Sequence, residues 1–157
     1  MRRGIAAAAV AQLTVVGLAV APQLSARLTG TDHQMQVRLV DPIDPFRGAY
    51  VRLDYPGLQA PGGSQPPVID GSKHDEVFVP LVEQGGVWVA ADWRASRPDE
   101  GPYLACAHRD RAIRCGIESY FAPQDAAWEL ERQLARDGGV ATIRIDSRGR
   151  ASVVAVG

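Results

Sequence analysis

Two regimes of hydrophobic patterning divide the chain. From Gly4 to Ala26 there is no charged residue, only an alanine- and valine-rich run with a few small polar positions. Beyond it the apolar positions alternate. In MQVRLV, Val37 and Leu39 share one face, and in AYVRLDY, Val51, Leu53 and Tyr55 lie opposite Tyr50, Arg52 and Asp54. A period of two puts successive side chains on opposite sides of a pleated backbone, so each segment predicts a half-buried strand. The intervening DPIDPFRG holds two Asp-Pro steps and a glycine, which predict consecutive turns that reverse the chain.

Periodicity is lost from Pro56 to Asp75, where prolines and glycines predict a long surface loop. EVFVPLVEQGGVWVAADW then predicts a hairpin about a Gln-Gly-Gly turn, with Val77, Val79, Val87 and Val89 available for burial. A second hairpin is expected in YLACAHRDRAIRCGI. With its polar turn centred on Asp110 and Arg111, a symmetric register sets Ala107 opposite Arg114 and Cys106 opposite Cys115. Pro123 can open a helix, because its missing N–H falls among donors that lack an intrahelical partner. Ala127, Leu130 and Leu134 share one side of that helix, and Gly138 ends it. VATIRIDSRGRASVVAV supplies two last strands around a Ser-Arg-Gly turn. The expected fold is α+β: an N-terminal transmembrane helix, then a mainly antiparallel β-sheet or partly open barrel with one amphipathic helix.

The uncharged run is 23 residues long. As a helix rising 1.5 Å per residue it would extend roughly 34 Å, against about 30 Å for a bilayer's hydrocarbon core. It reads as a membrane anchor or uncleaved signal over residues 1–26. A cleaved signal peptide and a buried soluble helix are the rival readings: Ala19-Val20-Ala21 has the small-x-small pattern of a cleavage site, but Pro22 would follow the cut and hinder it. Arg2 and Arg3 precede the run and favour a cytoplasmic N-terminus, with the rest of the chain on the extracytoplasmic, periplasmic side of the cell membrane. The expected organisation is an anchor contacting the bilayer through residues 4–26, a tether over 27–35 and a β-rich domain over 36–157.

Charge narrows the partners. The formal net charge is -1, and the 17 lysines and arginines are scattered instead of forming a stripe that could neutralise phosphates, so nucleic acid is not an expected partner. The leader holds two of those 17 and none of the 18 acids, which leaves the remainder mildly acidic. Export would bring the two cysteines into an oxidising compartment, where the hairpin register makes Cys106 and Cys115 a candidate disulfide; two separate buried thiols are the alternative. Catalytic signals are weak. There is no GxSxG elbow and no HExxH, the one lysine, Lys73, lies in the expected loop, and His33, His74 and His108 read as solvated loop residues. Neither metal nor cofactor is expected.

At DPFRGAYVRLDY the chain resembles the GDYxxLxY family of membrane-anchored bacterial proteins, and GIESYFAPQDAAWELE resembles that family's second characteristic stretch. Gly48, Tyr50, Leu53 and Tyr55 fit the first motif; Gly116, Ile117, Glu118, Tyr120 and Phe121 fit the second. Ala49 stands where the motif calls for aspartate, and Cys115 where it has an aromatic residue. The resemblance implies a single anchor, an extracytoplasmic domain and an accessory role beside an integral membrane protein, without a known reaction. The expected function is therefore a non-catalytic membrane-anchored module. The alternative is an envelope ligand sensor in which Arg47, Gly48, Tyr50, Arg52, Tyr55, Glu118, Tyr120 and Phe121 form one binding cleft; an unrecognised hydrolase using Asp54 with Glu118 comes third.

Overall fold

The computed structural model describes residues 12–17, 26–41, 50–59, 76–109 and 112–157. Its first strand, β1 (Thr31–Asp41), alternates as a half-buried strand must: His33, Met35 and Val37 are buried, while Asp32, Gln34, Gln36 and Arg38 are exposed. β2 (Tyr50–Asp54) follows the same rule, with Val51 and Leu53 buried. β3 (Glu76–Gln84) and β4 (Val87–Ala90) form the first hairpin, turning through Gly85 and Gly86 at φ 62° and 84°. A type I′ two-residue turn, which matches the strands' twist, needs positive φ at both positions, which glycine adopts without a Cβ penalty.

β5 (Tyr103–Arg109) and β6 (Ala112–Arg114) form the second hairpin, in which Ala107 pairs with Arg114 as the symmetric register requires. After β7 (Ser119–Phe121), helix α1 (Gln124–Asp137) begins one residue beyond Pro123 and ends at Gly138, whose φ is 68° and whose N–H donates to Leu134 O. β8 (Gly139–Ile145) and β9 (Ala151–Val156) complete the order.

Among the described residues all strand pairings are antiparallel and form two sheets, β7-β2-β1-β8-β9 and β4-β3-β5-β6. β1 is the shared strand of the larger sheet, pairing through Thr31–Val37 with β8 and through Arg38–Asp41 with β2. The two end strands of that sheet, β7 and β9, approach each other, so the sheet curls into a half-barrel with an open seam. Its inner face meets the smaller sheet in one core, where Met35, Val37, Val51 and Ile143 pack with Val77, Val79 and Leu104. Each such side chain contributes about 1.5–3 kcal/mol by leaving water. Ala127 and Leu134 carry α1 onto this core, whereas Trp128 remains 45% exposed.

Three features differ from the sequence reading. β1 starts at Thr31, so residues 31–35 belong to the sheet and not to a tether; their backbone groups are paired along β8. His33 is buried instead of solvated, its Nδ1 donating to Thr31 O at 2.8 Å and its ring set edge-on to Trp88 at 4.7 Å. Of the leader, residues 12–17 and 26–29 are helical, and among the described residues no helix is long and apolar enough to cross a membrane. The remaining leader residues, the Asp-Pro turns and most of the proline-glycine loop, including Lys73 and His74, lie outside the described residues.

The β8–β9 turn joins the sheets. Asp146 Oδ1 accepts from the N–H groups of Arg148 and Arg150 at 2.8 and 3.0 Å, and Gly149 O accepts from Ala105 N at 2.8 Å. Gly149 sits at φ 75°, where a Cβ would lie 2.5 Å from the Tyr103 ring and 2.9 Å from Ala105 N. Gly149→Ala is therefore expected to cost about 2–3 kcal/mol, through both backbone strain and overpacking. Urea unfolding should show a lowered midpoint with an unchanged slope.

A candidate site where two motifs share a ladder

The two motif segments, far apart in sequence, are neighbouring strands. Tyr50 pairs with Phe121, Val51 with Tyr120 and Arg52 with Ser119. The ladder continues past the strand ends, since Leu53 N donates to Glu118 O at 3.0 Å and the Tyr55 hydroxyl donates to Ile117 O at 2.9 Å. Tyr55 is only 6% exposed, so the alternation that buries Val51 and Leu53 also delivers a phenol into the core, where its hydroxyl needs a partner. Burial, with the Glu118 charge adding to it, holds the Tyr55 hydroxyl well above the usual tyrosine range.

Glu118 acts on its own turn. Its two carboxylate oxygens accept from the backbone N–H groups of Cys115 and Gly116, bracing a bend in which Gly116 adopts φ 80°. The same bend is tied to the smaller sheet by the disulfide between Cys106 and Cys115. Cys106 is buried in β5 and Cys115 immediately follows β6, so the bridge joins the second hairpin to the segment that leads into β7.

Among the described residues, Tyr120 and Phe121 line a common cleft and the other predicted site residues are put to separate uses. Arg47 and Gly48 lie outside the described residues, and Tyr50 is placed by its backbone pairing alone. Tyr55 is buried, Glu118 is engaged by the turn, and Tyr120 packs half-buried against the core. Arg52 is exposed beside Ser119, and Phe121 is 77% exposed. Asp54, which would have joined Glu118 in a hydrolytic pair, is half-buried opposite Arg38 in the β1–β2 ladder. Among the described residues no three His, Cys, Asp or Glu side chains gather as metal ligands.

A cleft of about 450 Å³ does exist, at the open seam between β7 and β9. Ser119, Tyr120 and Phe121 line one side, Ser152, Val153 and Val154 the other, and Arg27 and Arg144 lie along it as well. Val154 is the extra residue of a β-bulge, between Val153, paired with Ile143, and Ala155, paired with Thr142. Arg144 is held by Asp32, with Nε to Oδ1 at 2.6 Å and Nη2 to Oδ2 at 2.8 Å, and its Nη1 donates to Arg27 O at 3.0 Å. The guanidinium keeps the Asp32 carboxyl below the usual carboxylate range. Sequence reasoning reached Phe121 and Tyr120 but missed Arg27, Arg144 and Ser152. The available signal was the C-terminal hairpin, whose register places Ser152 beside Arg144; what hid the site was the closing of one sheet's two edges, which no local pattern encodes.

Fold and ladder together define a small α+β half-barrel module in which two sequence motifs supply adjoining strands and brace one another. The chain belongs to the GDYXXLXY protein family, whose model matches residues 12–156. Comparison with curated proteins and with solved structures returned no match.

Two substitutions test the ladder. Tyr55→Phe leaves the Ile117 carbonyl unpaired and should lower stability by about 1–2 kcal/mol at neutral pH. Because the folded-state value of Tyr55 is raised, its contribution is complete below the ordinary tyrosine value of about 10 and is lost as pH climbs above it. The gap between wild type and Tyr55→Phe should then narrow in alkaline urea titrations. Glu118→Ala removes both turn acceptors and should cost about 2 kcal/mol, whereas Glu118→Gln, which keeps one acceptor oxygen, should cost less by the same measurement.

Proposed function

We propose that this protein is a non-catalytic extracytoplasmic module, anchored by its leader in the cell membrane, that serves as an accessory or interaction partner of an integral membrane protein. The observation that carries the reading is the character of the leader at both described points. Residues 12–17 form a helical segment whose Leu13, Val15 and Val16 are exposed and not packed on the domain. Apolar side chains left outside a folded core suit a lipid environment better than water. At the other end Ala26, the last residue of the uncharged run, is buried.

The disulfide supports delivery to an oxidising compartment, because such bonds persist there and are reduced in the cytosol. The accessory role draws support from how the motif residues are used. Tyr55 and Glu118 are engaged by the protein's own backbone, while the exposed aromatic Trp128 is available to a partner surface. A second reading, an envelope ligand sensor, is favoured by the seam cleft, but with residues other than the Arg47, Arg52 and Glu118 set.

Fusing alkaline phosphatase to the C-terminus should give active enzyme, while a cytosolic reporter fused there should stay dark; the reverse pattern sinks the topology. Crosslinking in the native membrane, followed by mild detergent extraction, should capture a polytopic membrane protein in defined stoichiometry. A domain that remains uncrosslinked would count against the accessory role.

A further inference from the structure

We infer that the seam between β7 and β9 binds the phosphate-bearing headgroup of an anionic phospholipid. This rests on the anchored reading above and adds a site to it. Two arginines line the cleft but only one is uncompensated: Asp32 neutralises Arg144 through a two-point ion pair, whereas Arg27 is exposed and has no ion pair among the described residues. Its carbonyl is fixed by Arg144, so this part of its backbone is pinned at the cleft.

An independent feature points to a ligand. Ser152 is 5% exposed, and its hydroxyl has no hydrogen-bond partner, although it lines the same cleft. Buried hydroxyls are almost always paired, and a phosphate oxygen held by Arg27 would complete this one. Ser119 offers a second hydroxyl from the opposite wall.

The source of the phosphate follows from the rest of the lining and from position. Phe121 and the bulged Val154 present exposed apolar surface at the cleft, of no use to a free inorganic anion but suited to the glycerol and upper acyl carbons of a lipid. Arg27 is also the first residue after the uncharged run, which in an anchored chain brings the seam to the headgroup layer. A choline headgroup would bring its own cation toward Arg27, so lipids with net negative charge should be preferred.

The test uses the full-length chain in a neutral detergent, with lipid retention read by native mass spectrometry. Phosphatidylglycerol should bind about tenfold more tightly than phosphatidylcholine. Arg27→Ala should abolish that preference, Arg27→Lys should keep part of it, and Ser152→Ala should weaken phosphatidylglycerol severalfold without lowering the thermal midpoint. Equal retention of both lipids by the wild type would overturn the site while leaving the anchor standing. Displacement of phosphatidylglycerol by inorganic phosphate or glycerol phosphate at equal concentration would overturn the assignment to a lipid. A chain that retains no lipid and remains in the aqueous phase would overturn both site and anchor.

Discussion

The buried hydrogen bond from the Tyr55 hydroxyl to the Ile117 carbonyl closes a loop of 62 residues, and the rest of the larger sheet is arranged around it. It fixes where the chain that follows the second hairpin meets the end of β2. Once Ile117 is set there, Glu118 O receives Leu53 N, Ser119 to Phe121 fall into register as β7, and Pro123 lies where α1 can start over the core. The bend before it must be sharp, which Gly116 permits and the Glu118 carboxylate secures. The bond is local in chemistry, but it joins segments 62 residues apart.

The same arrangement explains what the family motif is for in this chain. Leucine and the last tyrosine of the first motif are core and ladder residues, and the glycine, isoleucine and glutamate of the second motif build the turn that receives them. They form one brace. Cys115, standing where the family pattern has an aromatic residue, contributes to that brace covalently, because its partner Cys106 belongs to the opposing sheet. The other departure, Ala49, lies outside the described residues.

Much of the fold was legible because its hairpins are local. The Gly85-Gly86 turn, the Cys106–Cys115 register and the Pro123-to-Gly138 helix each depend on contacts within a few residues, and alternation alone identified Val51, Leu53 and Tyr55 as buried. What escaped was set by distant partners. Thr31 to Met35 looked like a polar linker because His33 reads as solvated until Trp88, from the other sheet, covers it. Glu118 looked like a binding group, since nothing in a charge pattern says that a carboxylate will turn back to the amides of its own bend. The cleft was illegible for a related reason: its walls are the first and last strands of a sheet order that only tertiary closure creates.

The clamp of Asp32 and Arg144 on the Arg27 carbonyl, with Gly30 N closing onto Ala26 O at 3.1 Å, leaves no slack downstream of Ala26. A free linker of nine residues would let a domain sweep a sphere roughly 15 Å in radius. Here those residues are a short helical segment and strand, so that search volume collapses. The half-barrel therefore carries no swivel between Ala26 and its first strand, and a point of attachment at Ala26 would set the direction in which its surfaces face.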